Sequence, residues 1–461
     1  MTARYLIVLL PALLTACDLG PDYRAPDLPK PPAWRNEAAG RSELWPSADW
    51  WRGFGSPQLD RYMAAARTAN FDLAAAIARV RQADAQARIA GAALLPSVGL
   101  TAQAVRARQP SSGTGRMATG TSYEPGLSAS YQLDFWGRNA AVARAADFAA
   151  RASRYDRETV SLTVMTGVAN SYFRALELRD RVKVAEDNLD SARTTLDGLR
   201  RQQGAGIVTA LDVAEQETVV ANLDAGVPQL RQQYGQALDA LAILLGQTPE
   251  EVDPGQESLT AMSHPEVRPG LPSSLLARRP DVAEAEAQLI SANADIQAAR
   301  AAFYPSIALT ADGGFISSAL STALKPSNAV FTLAAGLTQP IFEGGQLEGQ
   351  FDLAQGRYEE LLATYRKAVF SALGNVEDAL IAVQQTAEQE KRQSQAVTTA
   401  QRAYDFARAQ MKAGTINILT VLNTETALFS AQDALVQAKS AHLQALVELY
   451  GALGGGWQKE A

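Results

Sequence analysis

The sequence predicts a mainly α-helical fold with a small transmembrane β part. It is built as an internally duplicated unit, each copy holding one β-hairpin and long antiparallel coiled-coil helices. Three observations carry this expectation. The chain resembles itself at offsets of about 207 to 209 residues, the hydrophobic period changes within each copy, and the N-terminus carries an apolar leader.

The duplication is read directly. "LPSVGLTA" (95–102) returns as "YPSIALTA" (304–311), "LDFWGR" (133–138) as "PIFEGG" (340–345), and "GIVTALDV" (206–213) as "GTINILTV" (414–421). A period this long marks a duplicated domain, not a solenoid. The resulting division is a leader at 1–16, an N-terminal or collar segment at 17–61, a first repeat at 62–247, a Pro- and Gly-rich connection at 248–273, a second repeat at 274–455 and a tail at 456–461.

The leader has Arg4, an apolar run from Tyr5 to Leu14 and small residues before Cys17, the layout of a secretory signal. "LTAC" (14–17) also resembles the bacterial lipobox, and the single cysteine of the chain stands where lipid would attach. The mature chain therefore has no cysteine with which Cys17 could form an internal disulfide. No later stretch is apolar for the roughly 18 residues that a membrane helix needs, so any membrane crossing falls to strands.

Those strands are expected at about 96–108 and 123–136 in the first repeat, and about 305–318 and 329–343 in the second. Residues alternate there with period two: Tyr123, Leu127, Ala129, Tyr131, Leu133 and Phe135 lie on one face, and Glu124, Ser128, Ser130, Gln132 and Asp134 on the other. Such a sheet suits a boundary between lipid and water, and it also suits a soluble layer packed on helices. The export leader and the aromatic residues Tyr123, Phe135, Trp136 and Phe342 near strand ends favour lipid. Four strands cannot close a membrane barrel, so several copies must combine.

The remainder is Ala-rich and helical. The 67 residues from Gly137 to Gln203 contain no proline. Leu189, Ala192, Leu196 and Leu199 step at heptad spacing, as do Leu223, Val227, Leu230, Tyr234, Ala237 and Leu241. The second repeat does the same with Val397, Ala400, Tyr404, Ala407 and Met411, then Leu428, Ala431, Leu435, Ala438, His442, Ala445 and Leu449. Glycines at 204, 206 and 414 break the pattern, which makes two antiparallel coiled-coil hairpins.

Several function classes are disfavoured. With a net charge of −7 and no cluster of Lys or Arg, nucleic acid is not an expected partner. No nucleophile elbow, phosphate loop or Cys/His metal spacing is present, so neither catalysis nor a metal or cofactor is expected. Of the two histidines, His442 sits at a heptad position matching Tyr234, which packing explains, and His264 falls in the irregular connection. Carboxylates on the helices read as solvated faces.

Taken together, "LTAC" with "GPDY" (20–23), "DWWRGFGSPQLD" (49–60), "LDFWGR", "LLARRPDVAEAE" (275–286) and "ALGGGW" (452–457) resemble the outer-membrane efflux proteins of the TolC type, in the lipoprotein branch similar to OprM and NodT. The resemblance covers essentially the whole mature chain. It implies a homotrimer with a 12-stranded outer-membrane β-barrel continued by a periplasmic α-barrel, anchored in outer-membrane lipid. Its partners would be a periplasmic adaptor and an inner-membrane transporter, most often of the resistance-nodulation-division class. Pro96 and Pro305 would mark helix-to-strand bends.

The resemblance further implies an aperture near the start of the helix after each hairpin turn. Those positions are Asp212 in the first repeat, and Thr420 and Asn423 in the second, where the family can carry acidic residues. Gly204, Gly206, Thr209, Gly414 and Asn417 would lie in the turns that face the adaptor. Arg278, Arg279 and Asp281 are expected to be structural, with Pro280 and Asp281 opening a helix. The remaining alternatives are the channel of a type I protein secretion system and a lipid-anchored coiled-coil scaffold without a pore.

Overall fold

A computed structural model of the chain describes residues 23–28, 31–35, 45–110, 117–252, 255–267 and 272–459. Cys17 lies outside the described residues. The elements are α1 (Pro57–Ala69), α2 (Phe71–Ala92), β1 (Ser97–Pro110), β2 (Met117–Leu133), α3 (Arg138–Gly204), α4 (Ala210–Leu245), the single turn α5 (Pro272–Leu275), α6 (Pro280–Ala301), β3 (Ser306–Phe315), β4 (Ala329–Thr338), α7 (Gln346–Lys412) and α8 (Ile418–Ala452). The repeats match helix for helix: α2 and α6 have 22 residues each, α3 and α7 have 67 each, and α4 and α8 have 36 and 35.

The chain forms two compact units. The first contains residues up to Asp27, Arg79–Arg154 and Glu284–Arg366, and the second contains Leu28–Ala78, Tyr155–Ala283 and Lys367–Ala461.

The first unit carries one antiparallel sheet in the order β1-β2-β3-β4. Its register decides its chemistry, because directly paired residues point to the same face. Val98, Leu100, Ala102 and Ala104 pair with Ala129, Leu127, Pro125 and Tyr123. Leu127, Ala129, Tyr131 and Leu133 in turn pair with Gly313, Ala311, Leu309 and Ile307, and these with Phe331, Leu333, Ala335 and Leu337. One face is thus apolar across all four strands. The opposite face carries Thr101, Gln103, Glu124, Ser128, Ser130, Thr310, Asp312 and Thr332.

Strand ends differ from the sequence expectation for local reasons. β2 stops at Leu133 because both Asp134 carboxylate oxygens accept the first backbone N–H groups of α3, from Asn139 at 2.9 Å and Ala140 at 2.7 Å. Phe135 and Trp136 therefore lie beyond the strand. β4 stops at Thr338, before Pro340, which has no N–H for a ladder, and Phe342 lies in the link to α7. β2 also starts early, at Met117: its first residues pair with Val105–Pro110 although they carry no apolar stripe. Pro96 and Pro305 each directly precede a strand, after α2 and α6 respectively.

Helix packing in this unit rests on small side chains. Ala141, Ala145, Ala285, Leu289, Ala292 and Ile296 are buried, and the Ser291 hydroxyl donates to the Ala145 carbonyl at 2.8 Å, which requires close backbones.

The second unit is cored by motifs that are remote in sequence. The "WWRGF" stretch is a 3₁₀ turn whose Trp50, Trp51 and Phe54 are buried. Trp50 stacks on Tyr450 of α8, with centroids 5.0 Å apart, and Phe54 meets Phe173 of α3. Ser56 caps α1 and hydrogen-bonds the Tyr172 hydroxyl, which donates to Glu257 at 2.6 Å. Burial first, then the bond to Glu257, pushes the Tyr172 hydroxyl well above the usual tyrosine range.

"RRPD" and "LGGGW" meet in this core. Arg279 pairs with Asp281 at 2.6 Å and also donates to the Ala452 carbonyl at the end of α8, at 3.0 Å. Arg278 lies over the Trp45 ring. Gly454, Gly455 and Gly456 all have positive φ, and a Cβ on them would fall 1.9 Å from the Arg278 carbonyl oxygen, 2.3 Å from a Leu162 methyl and 2.3 Å from the Ser47 backbone. No other residue type fits there.

Candidate functional site

The two helical hairpins turn in the same way. Gly206 and Gly414 adopt φ of 74° and 73°, the left-handed conformation that ends a helix at low cost only for glycine. The first turn is sealed by Ile207 N–H to Gln202 O at 2.9 Å, the second by Thr415 N–H to Gln410 O at 3.0 Å. Gly204 is the last residue of α3.

The helices leaving these turns are capped by different chemistry. Thr209 and Asp212 form a reciprocal capping box: the Thr209 N–H and hydroxyl both donate to Asp212 Oδ2 at 2.7 Å, and Asp212 N–H returns to Thr209 Oγ1. The Thr209 hydroxyl, then its backbone N–H, hold the Asp212 carboxyl below the usual carboxylate range. In the second repeat Asn417 Oδ1 accepts from Thr420 N–H at 3.3 Å and from the Thr420 hydroxyl at 3.0 Å, so that cap carries no charge. Asp212 and Thr420, expected at an aperture, are thus both committed to caps, while Asn423 is exposed on α8. Ile207, Leu211 and Leu419 are exposed apolar residues around the turns.

Above the turns, sequence reasoning missed a buried polar cluster. Glu425 is 0% exposed, and its partner Tyr404 belongs to an apolar cluster with Val213, Leu196, Leu422 and Phe429. Its carboxylate accepts from the Tyr404 hydroxyl at 2.9 Å, the Thr195 hydroxyl at 3.2 Å and Gln216 Nε2 at 3.4 Å, and Gln216 Nε2 also donates to the Ala192 carbonyl at 2.9 Å. Burial, followed by the charge of Glu425, raises the Tyr404 hydroxyl above the usual tyrosine range. The expectation that helix carboxylates are solvated fails here. Its one legible sign was Tyr404 at a heptad core position, whose hydroxyl needs a partner when buried.

In the first unit the aromatic candidates separate. Trp136 donates its indole N–H to the Pro305 carbonyl at 2.8 Å and lies against Tyr304, centroids 4.9 Å apart, where strands meet helices. Phe342 is exposed and Phe135 half-buried. Tyr123 is inside β2, where it exchanges backbone hydrogen bonds with Ser317 just past the end of β3. Sequence reading overlooked Tyr304, although its place before Pro305 marks the same bend.

His442 lies half-buried on α8 and His264 in the irregular connection, as expected, but the two also meet. His442 Nδ1 lies 2.7 Å from Glu390 Oε2, His264 Nε2 lies 3.8 Å from the same oxygen, and the two rings stack with centroids 4.6 Å apart. Nothing in their spacing along the chain could have shown this.

Against known proteins, the family of outer membrane efflux proteins matches at residues 63–247 and 271–455. The pyoverdine export outer membrane protein OpmQ of Pseudomonas aeruginosa is 43% identical over 456 residues, covering 97% of this chain and 96% of that protein. The cation efflux system protein CusC of Escherichia coli is 30% identical over 456 residues, covering 97% of both. Among solved structures, the outer-membrane channel OprN superposes with a TM-score of 0.89 at 26% identity, covering 96% of this chain and 100% of that one.

Proposed function

The chain belongs to the outer membrane efflux protein family, and from that premise we propose that it is the outer-membrane channel subunit of a tripartite efflux pump. It conducts substrate passively from the periplasm and an inner-membrane transporter to the exterior, and it carries out no catalysis. One observation carries this reading: a four-stranded sheet, apolar on one face and polar on the other, whose two outer strands β1 and β4 have unpaired edges among the described residues. Backbone groups at such edges cannot face lipid. β3 and β4 have ten residues each, matching the roughly 9–11 that a tilted strand needs to cross a bilayer. Three copies supply a closed 12-stranded barrel in the outer membrane, its lipid face the Leu100, Leu127, Leu309 and Leu333 face. The homotrimer extends into the periplasm through its long helices.

Finer assignments belong to the same proposal. Cys17 carries lipid, and Trp136, Phe135 and Phe342 lie at the membrane interface on the periplasmic side, with Tyr123 toward the other. The turns around Gly204, Gly206, Thr209, Gly414 and Asn417 meet the periplasmic adaptor, with Ile207, Leu211 and Leu419 as the apolar contact. Asp212, Thr420 and Asn423 border the aperture. The transporter is of the resistance-nodulation-division class, and the identity to OpmQ makes pyoverdine the cargo to test first.

The decisive experiment is the native mass of the detergent-extracted mature protein. Three protomers, each with acyl chains on Cys17, are expected. A monomer or dimer that persists across mild detergents would leave the strand edges unpaired and overturn the proposal.

A further inference from the structure

The only two histidines of the chain converge on one carboxylate, although three separate elements supply the three residues. His442 is on α8, Glu390 is on α7, and His264 is in the connection between the repeats. That connection is held firmly: Met262 is buried beside His264, Ser263 N–H donates to the Phe54 carbonyl at 3.0 Å, and Pro265 packs against Gly53 so closely that a Cβ there would lie 2.9 Å away. His264 is therefore presented toward Glu390 by the same aromatic turn that cores the unit.

From this geometry we infer that His264, Glu390 and His442 form a site for one divalent transition-metal ion, zinc in the first instance, that clamps the inter-repeat connection to α7 and α8. Each residue offers one ligand atom, and these atoms already lie within 4.8 Å of one another. Zinc bonds of about 2.0–2.1 Å set tetrahedral donors roughly 3.3 Å apart, so closure needs side-chain adjustments on the order of 1 Å. His264 can make them, with a side chain 38% exposed, while His442 and Glu390, at 13% and 20%, stay seated. Two imidazoles and one carboxylate make a borderline-soft set suited to zinc, with water completing the shell, and unsuited to calcium or magnesium.

Burial first, then the neighbouring His442, lowers the His264 pKa. Lys439, one turn before His442 on α8, acts in the same direction on His264, and Glu390 opposes both. Glu390 also supplies the negative charge that a cation requires.

The test uses the full-length, detergent-extracted protein, purified without a histidine tag and stripped with a chelator. Zinc alone is titrated by calorimetry and by thermal melting, and cobalt(II) is added as a spectroscopic stand-in. The expected result is one saturable site per protomer, a higher melting temperature with zinc, and visible cobalt absorption bands typical of nitrogen and oxygen donors. His264→Gln, at an exposed loop position that leaves the fold intact, should weaken binding at least tenfold, and Glu390→Gln likewise. Absence of a saturable site, or binding that is unchanged in both variants, would reduce the cluster to a proton-sharing His–Glu contact and overturn the inference. Since the readout is metal binding to the purified protein, the result is independent of whether the trimer conducts.

Discussion

Glu217 and Glu425 stand the same distance past the turn glycines Gly206 and Gly414, in the same repeated segment, and they live in opposite environments. Glu217 is exposed and pairs with Arg200 at 2.8 Å, while Glu425 is fully buried and accepts three hydrogen bonds from uncharged groups. Asn70 and Arg279 show the converse. They are different residues at matching places before α2 and α6, and they do one job: Asn70 donates to the Leu244 carbonyl near the end of α4 at 2.8 Å, as Arg279 does to the Ala452 carbonyl at the end of α8. Duplication has preserved positions and loads, not the chemistry that meets them. The reason is that the terminal carbonyls of a helix need a donor of any kind, whereas a carboxylate's role depends on which helix face its neighbours cover.

The sharpest break of the first pair is Glu425→Ala. It takes the acceptor from the buried Tyr404 hydroxyl and from one Gln216 amide hydrogen, while Thr195 keeps the Ser191 carbonyl at 3.2 Å, and should cost about 3 kcal/mol in denaturant or thermal melting of the extracted protein. Glu425→Gln, which keeps an acceptor, should cost about 1 kcal/mol or less, and Glu217→Ala should stay within about 0.5 kcal/mol. Equal losses at 217 and 425 would show that the burial difference has no energetic meaning.

The second pair predicts similar losses from unlike residues. Arg279→Ala and Asn70→Ala should each cost about 2 kcal/mol, because each leaves a helix-end carbonyl without its donor and Asn70→Ala also removes the acceptor for Leu73 N–H. A loss confined to Arg279 would mean that only its ion pair with Asp281 matters.

Smaller effects separate the two turns. Thr209→Ala and Asn417→Ala should each cost about 1 kcal/mol as lost caps. Only the first turn should respond to acid. The Asp212 carboxyl is held below the usual carboxylate range in the folded state, so its contribution is present above the unfolded-state pKa and lost as pH falls through the lower folded one. Hydrogen-exchange protection of residues 204–215 should fall in that acidic window, while protection of 413–423 should not follow it.

Much of this architecture was legible because periodicity is a local property. The offset repeats marked the duplication, period two marked the hairpins, and the heptads from Leu189 and Leu428 marked helices whose faces are now seen buried. Register completed the sheet argument, since alternation within one strand says only that it has two faces. Pairing Leu100 with Leu127, and Leu309 with Ala335, aligned the apolar faces of all four strands.

By itself the sequence determined the duplicated helical plan, the amphipathic strands and the turns that only Gly206 and Gly414 could make economically, because each depends on residues adjacent in the chain or one helical turn apart. Tertiary structure alone decided that Glu425 is buried and Glu217 is not, that "RRPD" meets "LGGGW", and that His264 reaches His442. Those outcomes depend on which distant surfaces exclude water together, and no local spacing encodes that.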